Sequence, residues 1–173
     1  MASLLDLFHE MKSLIDMLGN VVAGCSRIAI LGVGNELMGD DGVGIIAARR
    51  LSAIINKPCI LVLECGVAPE AFTSIILRFQ PDLILILDAV DFGGSPGSVS
   101  LLNISSLDRV SISTHKPSLT IMAKYLEMNG LKARILVLAI QPQFIGFNVG
   151  LSDKVEESVN FILRYLVEIL DSI

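Results

Sequence analysis

Three observations predict an α/β fold for this chain, with three layers and a mostly parallel sheet between helices. Short runs of Leu, Ile and Val alternate with amphipathic stretches from one end to the other. Apolar residues make up 53% and mean hydropathy is +0.69, yet no run nears the roughly 18 apolar residues of a membrane span. The best runs, "LILIL" before Asp88 and "ILVLAI" at 135–140, are far shorter. Strands covered by helices on both faces read this way. At 173 residues the chain has the size of one domain.

The elements follow in order. Residues 3–18 place Leu4, Leu5, Phe8, Met11, Ile15 and Leu18 at helical spacing, with Gly19 and Asn20 as stop signals. "RIAILGVG" then predicts a first strand ending near Gly32, and "VGIIAARRLSAII" a helix after Asp41. "CILVLE" at 59–64 is the second strand. Pro69 suits the first turn of a helix running to about Arg78. "DLILILD" at 82–88 is the third strand. After the turn-like "FGGSPG", the alternating "GSVSLLN" at 97–103 predicts a fourth, edge-type strand. A helix follows Pro117 and ends at Gly130, and "ARILVLAIQ" at 133–141 makes the fifth strand. The last helix has Ser152 or Asp153 as N-cap and carries Val155, Val159, Ile162, Leu163 and Leu166 on one stripe. Right-handed crossovers make the first and third strands neighbours. Ligands in such sheets bind beyond the strands' carboxyl ends, where strand order reverses.

Composition removes several functions. The net charge is −5 with pI near 4.9, and the longest basic cluster is the pair Arg49–Arg50, which argues against nucleic-acid binding by phosphate neutralisation. Cys25, Cys59 and Cys65 form no CxxC, so neither a disulfide framework nor a thiolate zinc site is implied. The N-terminus carries Asp6, Glu10 and Asp16 within its apolar pattern, unlike a signal peptide, so the cytoplasm and no membrane insertion are expected.

The glycine-rich turn "ILGVGNELMGDDGVG" ends in two aspartates, where a phosphate-binding turn would avoid negative charge. Leu37 also fills the third glycine position of the dinucleotide fingerprint. Asp41 follows the first strand, Asp88 ends the third, and His115 precedes a helix, so all three fall on one edge of the sheet. Two carboxylates and an imidazole with positions left over suit a divalent transition metal; Asp41 or Asp88 also suits a general base. Plainer roles stand beside these. Asp40 or Asp41 fits a first-turn carboxylate at a helix N-terminus, Asp88 a cap of the "DFGG" turn, and His9 a place on the N-terminal helix. Ser113, Thr114 and Ser118 near His115 lack any nucleophile-elbow pattern.

Taken together, "GVGNELMGDDGVG", "LDAVDFGGSPGSV" and "STHKPSL" closely resemble the maturation endopeptidases of nickel–iron hydrogenases, nearest the type serving formate-hydrogenlyase-related, membrane-bound hydrogenases. The resemblance runs from about Arg27 to the last helix. It implies an α/β/α sandwich with a twisted five-stranded sheet carrying one antiparallel strand. It implies an aspartic-type endopeptidase that removes the C-terminal extension of a hydrogenase large-subunit precursor after nickel insertion. The family's metal-contacting positions fall on Asp41, Asp88 and His115, the first two also being the catalytic candidates. Its substrate-recognition acid falls on Glu64 in "LECG", where many relatives have Asp followed by Gly-Gly; Glu36 and Asp91 match no ligand position. The metal it implies is divalent, nickel presented by the substrate. The expected partners are the precursor and nickel-insertion accessory proteins. Residues 1–24 read as an N-terminal amphipathic helix extension and 25–173 as the peptidase domain. The alternative function is a nickel-sensing chaperone or checkpoint that engages the large subunit without cutting it.

Overall fold

A computed structural model describes residues 4–106 and 115–173, with backbone alone for residues 4–10 and 106. Ser113 and Thr114 lie outside the described residues. The elements are α1 (Leu4–Val22), β1 (Ile28–Val33), α2 (Val43–Ser52), β2 (Ile60–Gly66), α3 (Thr73–Phe79), β3 (Leu83–Ala89), β4 (Val99–Asn103), α4 (Lys116–Met128), β5 (Arg134–Ile140) and α5 (Asp153–Asp171). Short 3-10 turns at Asp40–Gly42 and Pro69–Phe72 lead into α2 and α3.

The strands form one sheet in the order β2-β1-β3-β5-β4. All pairings are parallel except β4 against β5, so the edge strand read at 97–103 is the antiparallel one. The chain leaves β1 toward β2 and returns to build β3 on β1's other side. Strand order therefore reverses between β1 and β3, and that is where a crevice opens in such sheets.

Alternation along the strands divides the core in two. Ile30, Leu85, Leu87 and Leu138 face α1, α2 and α5, meeting Leu51, Val159 and Leu166. Leu31, Ile84, Ile86 and Val137 face α3 and α4, meeting Ile76, Leu119 and Met122. The stripe read on the last helix is buried as expected. Among the described residues no helix is long and apolar enough to cross a membrane.

Glycines set how closely α2 approaches. A Cβ on Gly44 would run into the carbonyl oxygens of Leu87 and Val33, and one on Gly32 into Gly44 and Ala48. The start of α2 thus rests on the ends of β1 and β3, which fixes the 3-10 turn before it over the switch point.

Two expectations need correction. Helix α1 does not stop at Gly19 and Asn20 but continues to Val22. Leu14, Leu18 and Val22 recur every four residues and are buried in the first core layer. Burying Val22 there outweighs the roughly 1 kcal/mol that Gly costs inside a helix. Ser152 is the N-cap residue of α5, but its side chain makes no hydrogen bond to that helix; its hydroxyl is engaged elsewhere, as follows.

Candidate active site

The two aspartates of "GDDG" do different work. Asp40 is 1% exposed and reaches across the chain to the segment between β5 and α5. Its Oδ2 accepts from the backbone N–H groups of Gln143 at 2.8 Å and Phe144 at 2.9 Å and from the Ser152 hydroxyl at 2.9 Å. Its Oδ1 accepts from Ser152 N–H at 2.7 Å. Four donors on one buried carboxylate are what an ionised group needs in place of water. Asp40 is a clamp between two loops, and that explains the hydroxyl's turn away from α5.

Asp41 lies on the other side of the same turn. It is buried, and its Oδ2 stands 3.2 Å from Nε2 of His115. His115 sits just before α4, whose first turn carries Pro117, and it too is buried. Asp88, wholly buried near the end of β3, alternates with Leu87 and so projects toward the face covered by α3 and α4, as Ile84 and Ile86 do. Burial pushes the His115 pKa down, but the Asp41 hydrogen bond and the fields of Asp88 and Asp41 outweigh it. The net shift is upward, toward a charged imidazole between two carboxylates. The structure therefore brings together Asp41, Asp88 and His115, which lie far apart in sequence. As arranged, imidazole and carboxylate bond to each other; among the described residues no three His, Cys, Asp or Glu side chains form a ready-made metal cage.

Glu64 is not brought to that pair. It pairs in register with Gly32 on the α2 face of β2 and is held by Arg49, whose Nη2 lies 2.6 Å and Nε 2.9 Å from its Oε2. The same guanidinium grips Glu36 with both nitrogens, at 2.6 and 2.9 Å. The bond to Glu36, then that to Glu64, raises the Arg49 pKa, and Glu36 is lowered in turn by its Arg49 bond.

Gln141 is the residue that sequence reasoning passed over. It is 7% exposed at the end of β5, and its Oε1 accepts from Phe92 N–H and Gly94 N–H, both at 3.0 Å. Its Nε2 donates to Asp91 at 3.1 Å. It shapes the "DFGG" turn that follows Asp88. A polar residue ending an apolar strand is the signal that picks out Asp88, and the same signal was present in "ILVLAIQ".

Fold and site together define a class, that of doubly wound α/β proteins with a buried acid–imidazole cluster at the switch point. Comparison with known proteins narrows it. The family description "Hydrogenase maturation protease" matches residues 45–169, a span that includes Glu64, Asp88 and His115 and begins just past Asp41. A protein of Methanocaldococcus jannaschii named as a putative hydrogenase maturation protease is 32% identical over 165 residues, covering 91% of this chain and 96% of its own. The hydrogenase 3 maturation protease of Escherichia coli K12 is 29% identical, over 79% of this chain and 86% of its own. The crystal structure of a hydrogenase maturation protease from Thermococcus kodakarensis KOD1 superposes with a TM-score of 0.82 at 32% identity, covering 90% of this chain and 99% of that one. The chain belongs to the hydrogenase maturation protease family, and it is a peptidase.

Proposed function

We propose that this protein is a nickel-gated endopeptidase that removes the C-terminal extension of a nickel–iron hydrogenase large-subunit precursor once nickel has been inserted. The observation that carries the reading is the buried Asp41–His115 pair beside Asp88 at the switch point, in a chain of this family. Nickel enters as the precursor's cargo, with the protease supplying two carboxylates and one imidazole of suitable donor type. To reach that metal, Asp41 and His115 give up their bond to each other, and His115 gives up its proton, since only the neutral imidazole ligates. The exchange is favourable when the cation takes the place of that proton between Asp41 and Asp88. A precursor without nickel offers no such compensation, and the pair stays closed. Specificity then comes from binding energy that the unloaded precursor lacks.

The chemistry needs one carboxylate as a base. A buried Asp beside the scissile peptide takes a proton from the attacking water and, now protonated, returns it to the leaving amine as the C–N bond breaks. Asp41 and Asp88 are the carboxylates available for that task. Glu64, with its Arg49 partner, faces the precursor as the recognition acid. The precursor and the accessory proteins that load it are the expected partners, in the cytoplasm.

The test is cleavage of the full-length precursor, with and without nickel, by the wild-type protein and Asp88→Asn. Release of the C-terminal peptide only from nickel-loaded precursor, and only by wild type, is expected. Cleavage that ignores nickel overturns the gating, and full activity of Asp88→Asn removes Asp88 from the site. Binding of the loaded precursor with no cleavage at all moves the reading to a checkpoint protein.

A further inference from the structure

Beside the acid–imidazole cluster the surface is apolar, and it is built from the two loops that Asp40 clamps. Leu37 is 56% exposed, Phe144 52%, Ile145 41%, Phe147 86% and Val149 77%. Such side chains on mobile loops would mean little, since single exposed apolar residues are ordinary. These are held in place. Gly39 N–H donates to Asn148 O at 2.9 Å, Asn148 N–H to Leu37 O at 3.0 Å, and Asp40 N–H to Phe144 O at 3.0 Å, in addition to the Asp40 carboxylate bonds. Gly39 takes φ +62 to allow this, and a Cβ there would press on the Phe144 carbonyl and ring. These backbone bonds and the Asp40 carboxylate tie the two loops together, and the apolar side chains stand exposed alongside Gln143 and Asn148.

We propose that this platform is the docking surface for an apolar segment of the precursor's polypeptide, within a few residues of the bond that is cut. The inference rests on the function proposed above. Its support is continuity. Asp40, bonded to Phe144, is the residue next to Asp41, and β5, which leads into the platform, lies directly beside the strand carrying Asp88. An extended chain advances about 3.3 Å per residue, so a peptide whose scissile bond lies at Asp41 crosses the platform within a few positions. The chemistry of the occupant follows from residues 142–152, "PQFIGFNVGLS", which contain no charged side chain. A surface of this kind is complementary to apolar or aromatic side chains and gives nothing to a charged tail.

The experiment compares wild type with the double variant Phe147→Ser/Val149→Ser, chosen because both side chains stand in solvent and the fold does not depend on them. The probe is a nickel-loaded, full-length large-subunit precursor; cleavage kinetics and equilibrium binding are both measured, with the melting temperature as a check on folding. The expected result is an unchanged melting temperature and a rise of ~10-fold or more in KM and in Kd, equivalent to the loss of two apolar contacts. If wild type cleaves and the variant's KM stays within twofold, the platform is overturned while the protease reading stands. If wild type binds without cleaving and the variant binds more weakly, the platform stands and the cleavage reading falls. If wild type binds without cleaving and the variant binds equally well, both fall. Neither binding nor cleavage by wild type also overturns both.

Discussion

Replacing Asp40 by Asn changes one atom and removes a charge, and the structure says what that costs. The carboxylate accepts four hydrogen bonds, three at Oδ2 and one at Oδ1. An amide has only one oxygen. In its better orientation that oxygen takes the Oδ2 position and keeps three donors, while the NH2 group faces the Ser152 N–H. Leaving that buried donor unsatisfied costs about 1–3 kcal/mol. The three surviving bonds fall from charge-assisted to neutral strength, a loss of about half for each. Together the change is about 4 kcal/mol, a large part of the ~5–15 kcal/mol that holds a domain folded. For a chain of this size it corresponds to a drop in melting temperature of roughly 10 °C.

Thermal unfolding followed by circular dichroism measures this directly. Asp41 meets His115 at 3.2 Å, and its amide variant should lose precursor processing. Limited proteolysis adds a local readout, since freeing Gln143 and Phe144 from Asp40 should open the 142–150 segment to cleavage. An Asp40→Asn protein that melts within 2 °C of wild type would refute the clamp.

Two further predictions rest on the same site. The chain contains two histidines, so an NMR titration resolves His115 easily: its midpoint should lie above the ordinary 6.5 and fall in Asp41→Asn, which removes the hydrogen bond that raises it. Because the folded-state value is the higher one, the stabilisation it brings is complete below about pH 6.5 and disappears as pH rises through the folded-state midpoint; stability that instead grew over that interval would contradict the charged pair. Gln141→Leu should cost about 1–3 kcal/mol in urea unfolding by stranding the Phe92 and Gly94 N–H groups, and a neutral effect would mean that the turn after Asp88 shapes itself.

The order and type of the elements were legible because each announces itself locally. β3 and β5 are apolar runs between breakers, and α5 shows its stripe before any partner is known. The edge place of β4 followed from its alternation and from the turn before it, whereas its antiparallel direction was implied only by the family resemblance. Where α1 ends was not legible, because the Gly19–Asn20 signal is local and the burial of Val22 that overrides it is tertiary. Asp88 and His115 could be proposed from position alone, one ending a strand and the other preceding a helix. Arg49 could not. In sequence it is half of a basic pair, and only folding sets it between Glu36 and Glu64, 13 and 15 residues away.

The aspartate doublet shows why site residues are harder to read than strands. Both carboxylates are buried in one 3-10 turn, and nothing in "GDDG" ranks one over the other. Their roles are assigned by what the rest of the chain brings to each. Residues 103, 104 and 112 positions away present donors to Asp40, whereas a residue 74 positions away presents an imidazole to Asp41. A carboxylate surrounded by backbone N–H groups and a hydroxyl is fixed in its place. One facing a titratable ring, with a second carboxylate nearby, can exchange its partner for another cation. The clamp makes that exchange local: with Asp40 holding the loop, Asp41 can part from His115 without carrying the turn, or the apolar platform beside it, along.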